Sequence, residues 1–279
     1  MIWSRGRDTP RACLCPHIPD AGSRRLTFAL YPSLAGRVVF VTGGATGIGA
    51  DIVAAFVRNR ARVAFIDRQR DAGEALVRAL AGEGETPLFI EGDITDIAAL
   101  QAAISRTHDE VGPIGVLVNN AANDQRHQVA DVDVAFWDAS QAVNLRHQFF
   151  AAQAAHPQMK RLGGGSIVNL SSVVWRGGAA EMAVYATAKS AVIGLTRSLA
   201  RAFGPDNIRV NAIEPGAVMT DRQRALWYKT QESVDAMVAR QLLRRTLLGD
   251  EIARAALFLA ADDSRMITKQ TLTVDAGLR

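Results

Sequence analysis

From residue 37 onward, short apolar runs rich in valine and isoleucine alternate with longer segments whose apolar residues recur every third or fourth position. Unbroken runs of this kind read as strands buried on both faces, and the periodic segments read as helices that cover them. The runs fall at 37–42 (RVVFVT), 62–66 (RVAFI), 86–90, 114–118 (IGVLV), 166–170 (SIVNL), 208–213 and 271–274. The longest helical stretches are 133–160 and 182–203, the second rich in Ala, Leu and Ile at spacings of three and four. Such helices often pack between subunits. This alternation predicts an α/β fold over 34–279: one doubly wound Rossmann-type domain with a parallel sheet of about seven strands flanked by helices. The segment 217–247 interrupts the pattern with Met219, Trp227, Tyr228 and several charges, and predicts a mobile lid over a substrate.

Composition changes this picture only at the N-terminus. Residues 1–33 hold Pro10, Pro16, Pro19 and Pro32 without helical or alternating period, and are expected to be a disordered basic extension. Its arginine-rich, acid-poor make-up also fits a transit peptide or an upstream start. Arg5, Arg7, Arg11, Arg24 and Arg25 stand there against Asp8 and Asp20, and supply most of the net charge of +4. The remainder is close to neutral, which argues against a nucleic-acid partner. No apolar run approaches the roughly 20 residues that span a bilayer, so no membrane role is expected. Both cysteines, Cys13 and Cys15, lie in the extension. The folded part therefore has no disulfide framework, and a cytoplasmic location fits. With His17 these thiols lack a fourth ligand for a tetrahedral site, so no metal is expected.

Candidate chemistry begins where the first strand runs into Thr42-Gly43-Gly44-Ala45-Thr46-Gly47-Ile48-Gly49 and then a helix. Glycines let the backbone approach a pyrophosphate, and a helix starting near Gly47 aims its free N–H groups at the phosphates. Asp67 ends the second strand, where a carboxylate accepts from ribose hydroxyls and repels a 2′-phosphate. This favours NAD, with NADP kept open by Arg68. Asp93 and Ile94 follow the third strand. Asp93 is placed to accept from an adenine amino group, or else Asp93 or Thr95 caps the next helix. Asn119-Asn120-Ala121-Ala122 closes the fourth strand with small residues and amides that tie neighbouring strands. Tyr185 and Lys189, four apart, share a helix face. A phenol is a poor base at neutral pH, but an adjacent ammonium and an oxidised nicotinamide both favour phenolate. Ser172 at a strand end can hold a substrate oxygen, and Asn144 inside the long helix can anchor a proton-passing water.

Together these residues resemble the short-chain dehydrogenase/reductase family over 34–279: the TGxxxGxG loop, the Asn-Asn-Ala segment, Asn144, Ser172, the YxxxK pair, Pro215-Gly216 with Val218 and Thr220, and Val274-Asp275-Ala276-Gly277. The resemblance implies an NAD(P)-dependent oxidoreductase with Ser172, Tyr185, Lys189 and Asn144 as its catalytic set. It further implies that Val218 and Thr220 contact the nicotinamide carboxamide, and that the protein is a homo-oligomer, a tetramer. Asn123-Asp124-Gln125-Arg126-His127, Val143-Asn144-Leu145-Arg146-His147, Trp175 and the closing Asp275 to Arg279 resemble more narrowly the bacterial aldose 1-dehydrogenases of the D-xylose and D-galactose type. That implies oxidation of a sugar at its anomeric carbon to a lactone, with Asn123, Asp124, Val174 and Trp175 beside the substrate. The alternatives are a dehydrogenase of another secondary alcohol or a 3-oxoacyl reductase using the same four residues, and a cofactor-binding regulator without turnover. Ala122 and Lys269 stand where the wider family has glycine, and Ser171 where the sugar enzymes often do.

Overall fold

The computed structural model of the chain describes residues 29–278. Residues 1–28, with Cys13, Cys15 and His17, lie outside the described residues. Tyr31 to Ser33, expected in the same extension, belong to the fold. Pro32–Leu34 form a 3₁₀ turn, and Leu34 is fully buried. Tyr31 N–H donates to Asn59 Oδ1 at 2.9 Å, and Ser33 Oγ accepts from Asp262 N–H at 3.1 Å. Tyr31 and Leu34 reach the core here, and a proline at the first position of the turn is compatible with it.

Seven strands, β1 (Val38–Thr42), β2 (Arg62–Asp67), β3 (Leu88–Glu91), β4 (Ile114–Asn119), β5 (Gly165–Leu170), β6 (Ile208–Pro215) and β7 (Thr271–Val274), form one parallel sheet in the order β3-β2-β1-β4-β5-β6-β7. β3 starts after Pro87, which has no N–H to give to a ladder. The helices are α1 (Gly47–Arg58), α2 (Arg70–Ala79), α3 (Ile97–Glu110), α4 (Val134–Gln141), α5 (His147–Arg161), α6 (Val174–Gly177), α7 (Ala183–Phe203), α8 (Asp221–Leu226), α9 (Gln231–Val238) and α10 (Gly249–Ala260).

Successive strand residues point to opposite faces, and both faces are apolar. Val39, Val41, Val63 and Phe65 join one core with Ile52 and Phe56 of α1 and Ile252 and Leu257 of α10. Val38, Phe40, Ala64 and Ile66 join another with Leu100 of α3, Met159 of α5 and Leu199 of α7. The expected single helix over 133–160 is two helices joined by a wide π turn, Ala142–Arg146. Asp133 starts the first, accepting Phe136 N–H at 2.7 Å. The apolar period runs through the turn unbroken, so periodicity alone does not reveal it.

The segment 217–247 is folded. Its ends are joined by a bridge between Val218 and Leu247 and by Met219 N–H donating to Leu247 O at 2.8 Å. Met219, Val234 and Met237 form a small core of their own. β1 and β4 are neighbours from which the chain winds away in opposite directions, with Thr42 level with Asn119. A crevice opens at such a switch point, beyond the carboxyl ends of the strands. Among the described residues no helix is long and apolar enough to cross a membrane.

Candidate active site

The glycine loop lines this crevice. Gly43 has φ of +66°, and a Cβ there would lie 2.8 Å from Ala121 Cα; one on Gly49 would lie 1.8 Å from Gly43 O. The loop therefore tolerates only glycine at both positions. α1 begins at Gly47, behind Thr46, whose hydroxyl makes no cap bond. The first-turn N–H groups of α1 thus face the crevice. Ile48 packs against the core. Asp67, 7% exposed, is fixed by two main-chain donors: Ala45 N–H to Oδ2 and Gln69 N–H to Oδ1, both at 3.0 Å. Arg68 beside it is exposed.

Asp93 is exposed and accepts from both the N–H and the hydroxyl of Thr95 at 2.8 Å. Neither residue caps α3; Asp96 does, accepting Ala99 N–H at 3.1 Å. Ile94 is buried in the core. Asn120 Nδ2 donates to Thr42 O and Gly43 O at 3.1 and 2.8 Å, so the turn after β4 holds the glycine loop from its far side. Asn119 donates to Asn169 Oδ1 at 2.9 Å, tying β4 to β5.

Tyr185 and Lys189 sit in the first turns of α7, with the Lys189 Nζ 5.6 Å from the Tyr185 ring centre. Ser172 follows β5 and its hydroxyl neighbours that of Tyr185, favouring the ionised phenol. Its Oγ also accepts Val174 N–H at 3.3 Å, which fixes it to the start of α6. Lys189 is buried and donates to Leu170 O at 2.8 Å. Desolvation lowers its pKa to about 7, against the opposing pull of Asp124. The expected help from an oxidised nicotinamide is absent in the chain by itself. Desolvation first, and then Asp124, push Tyr185 above the ordinary phenol value, opposed by the neighbouring Ser172 hydroxyl. Burial favours the uncharged form of both members of the pair.

Asn144 is fully buried in the π turn, and its side chain is taken up. Oδ1 accepts Asn123 N–H at 2.9 Å, while Nδ2 donates to Asn123 O and Ser140 O at 3.0 Å. Its amide therefore clamps the loop after β4 and is not the free anchor for a water that the sequence suggested.

That loop docks under the 217–247 segment. Asp124, its side chain 18% exposed, accepts from Gln223 Nε2 at 2.6 Å and pairs with Arg222 at 3.4 Å. Arg222 also donates to Asn123 Oδ1 at 2.9 Å. Arg126 stacks over Trp227 at 4.1 Å and pairs with Glu181 at 3.5 Å. His127 donates its N–H to Glu181 O at 2.9 Å. Trp175 sends its indole N–H to the buried Glu214 at 2.7 Å, so this donor faces β6. Pro215 closes β6, Gly216 packs against Asp275, and Thr220 caps α8 by accepting Gln223 N–H at 3.3 Å. Gly47 lies against the Thr220 methyl, which brings the segment to the glycine loop.

A family model described as enoyl-(acyl carrier protein) reductase matches residues 43–279. The "Probable galactose dehydrogenase GalD" of Rhizobium meliloti is 47% identical over 89% of this chain and 97% of its own length. The D-xylose 1-dehydrogenase of Caulobacter vibrioides is 42% identical over 91% and 100%. A solved mutant short-chain dehydrogenase/reductase from Serratia marcescens superimposes with a TM-score of 0.82 at 35% identity, over 88% of this chain and 99% of that one. The chain belongs to the short-chain dehydrogenase/reductase family. This short-chain dehydrogenase/reductase is an oxidoreductase, and its family uses nicotinamide cofactors. The crevice fits such a dinucleotide: a glycine loop packed too tightly on the turn after β4 to carry a Cβ, a helix start facing it, and a fixed carboxylate at the end of β2. Arg222, Gln223 and Glu214 were not expected from the sequence, and His147 was named only within the motif resembling the sugar enzymes. Glu214 had a visible signal, a charge inside an apolar strand, whereas the contacts of 217–247 had none.

Proposed function

We propose that this enzyme oxidises an aldose at its anomeric carbon to the lactone, with NAD as the preferred cofactor. The carrying observation is the Asp124 carboxylate, braced by Gln223 and Arg222, close enough to Tyr185 and Lys189 to shift both. A polar wall at the reacting end suits a polyhydroxylated substrate, because a buried hydroxyl left unpaired costs roughly 1–3 kcal/mol. The galactose and xylose dehydrogenases named above support the same reading. A 3-oxoacyl thioester or a steroid would instead call for an apolar wall.

When bound, the oxidised dinucleotide supplies the hydride acceptor and a positive charge. Ser172 and Tyr185 hold the anomeric hydroxyl between them, and Tyr185 removes its proton as the carbonyl forms. Lys189, fixed by Leu170 O, would hold the cofactor ribose with its remaining N–H groups and lower the cost of the phenolate. Asn144 acts by holding the loop that carries Asp124. Asp67 accepts from the adenosine ribose, with Asp93 beyond it, and repels a 2′-phosphate. Asp67→Ala is expected to move the NAD to NADP ratio of kcat/KM toward NADP by 10-fold or so, the worth of roughly 1.4 kcal/mol; an unchanged ratio would remove that role.

The test is NADH formation with a panel of aldoses beside simple secondary alcohols and a 3-oxoacyl thioester, using NAD and NADP separately. Strong turnover of one aldose supports the proposal. Turnover of the thioester or alcohols alone overturns it.

A further inference from the structure

The end of β1 carries a buried polar contact that the mechanism above does not use. Thr42 is fully buried, and its Oγ1 accepts two main-chain donors, Asn120 N–H at 3.0 Å and Ala121 N–H at 3.1 Å. Those two bonds occupy both lone pairs, so the hydroxyl proton must be given elsewhere. His147 Nε2 faces it at 3.5 Å, longer than an ordinary hydrogen bond. His147 is itself fully buried, at the first position of α5. Desolvation and then the charge of Lys189 hold its pKa down to about 3, against the Val143 carbonyl. The ring is therefore neutral in the working range and offers one nitrogen as an acceptor.

We propose that His147 is a positioning residue for the dinucleotide site. It fixes the Thr42 hydroxyl, and that hydroxyl fixes the main chain at Asn120 and Ala121. Two further contacts make this turn part of the cradle. Asn120 Nδ2 holds Gly43 O at 2.8 Å, and Gly43 approaches Ala121 so closely that no Cβ fits between them. Without the imidazole, the Thr42 proton competes with one of the two N–H groups for the space around Oγ1, and the turn loosens against the glycine loop. The charged group that acts on this pair is Lys189 from α7. The inference rests on the dinucleotide site alone and is independent of which alcohol is oxidised.

The test compares His147→Leu, Thr42→Val, their double variant and His147→Gln, whose side-chain oxygen restores an acceptor. Binding of NADH or NADPH, whichever the wild type holds more tightly, is read by fluorescence. Hydrogen exchange of the Asn120 and Ala121 amides is read without cofactor. Each single variant should weaken dinucleotide binding by roughly 5- to 20-fold, the effect of a lost buried hydrogen bond. Each should also speed exchange at both amides, and the double variant should be no worse than the worse single. His147→Gln should recover binding relative to His147→Leu and leave the shape of the kcat–pH profile unchanged. Additive losses, or wild-type binding and exchange in Thr42→Val, would overturn the proposal. A displaced acid limb of kcat in His147→Gln would overturn it too, because the ring would then be titrating in the reaction. Should His147→Leu fail to fold, Thr42→Val and His147→Gln decide the matter alone.

Discussion

Tyr185 and Lys189 are pushed by desolvation toward their neutral forms, so whatever Lys189 does to favour the phenolate works against burial. The surrounding charges decide: Asp124 opposes the phenolate and supports the ammonium, and a cationic nicotinamide tips the balance the other way. Because the phenol hydroxyl is used only in the chemical step, Tyr185→Phe should lower kcat by roughly 10²–10⁴-fold while NADH binding, read by fluorescence, stays within a factor of two or so. Loss of binding in a folded variant would show that the hydroxyl builds the cofactor site. The spacing of Tyr185 and Lys189 was legible in the sequence because four residues on a helix always share a face. The partners of Asp124 were not, since Arg222 lies 98 residues further along the chain and no local pattern links them. His147 carries a second residue-scale consequence. Its pKa of about 3 in the fold lies below the 6.5 of a free imidazole, so the unfolded chain binds more protons between those values. The stability it contributes is present above about pH 6.5 and is lost as pH falls toward 3. In urea titrations at pH 7 and pH 4.5, wild type should therefore lose more stability on acidification than His147→Asn; an equal loss would mean that the ring does not titrate on unfolding.

At the scale of elements, the strands were legible because both faces of a parallel sheet are apolar, so their runs stand out from amphipathic helices. The π turn of 142–146 was hidden by an unbroken apolar period, although it is this turn that places Asn144 against the loop after β4. Lys269 is instructive in the same way. It stands at a family glycine and adopts φ of +64°, so the backbone keeps the glycine conformation while the side chain has changed. The segment 217–247 was legible as an interruption, but its docking was not: Gln223 and Arg222 grip Asp124, and Arg126 lies over Trp227. The loop after β4 and the segment 217–247 thus meet along a seam. Trp227→Ala removes the stacking surface, worth about 0.5–2 kcal/mol for a partly desolvated cation over an aromatic ring. It should raise the substrate KM several-fold with a smaller change in kcat, and expose 217–247 to limited proteolysis. A fall in kcat at unchanged KM would place Trp227 in the chemistry instead of the seam.

For the whole molecule, sheet order and layer arrangement follow from the alternation of elements along the chain, because crossovers between parallel strands take one hand and the glycine loop fixes where the winding reverses. What that alternation leaves open is which outer faces are covered by another copy. Scattered apolar side chains on a surface need no explanation, but the α4–α5 stretch exposes three large ones, Val134 at 76%, Trp137 at 42% and Phe149 at 41%. Each side chain of this size, if buried against a partner, contributes roughly 1.5–3 kcal/mol, and a two-fold contact repeats every gain. We infer a homo-oligomer that uses this stretch. Light scattering on the eluting protein should then give a mass several times that of the chain. Trp137→Glu with Phe149→Glu should shift it to a smaller species with unchanged circular dichroism, since neither side chain belongs to the two central cores. A wild-type monomer would sink the inference outright, whereas an oligomer that survives the double substitution would move the interface to another face, such as that of the exposed Leu242, Leu243 and Met266.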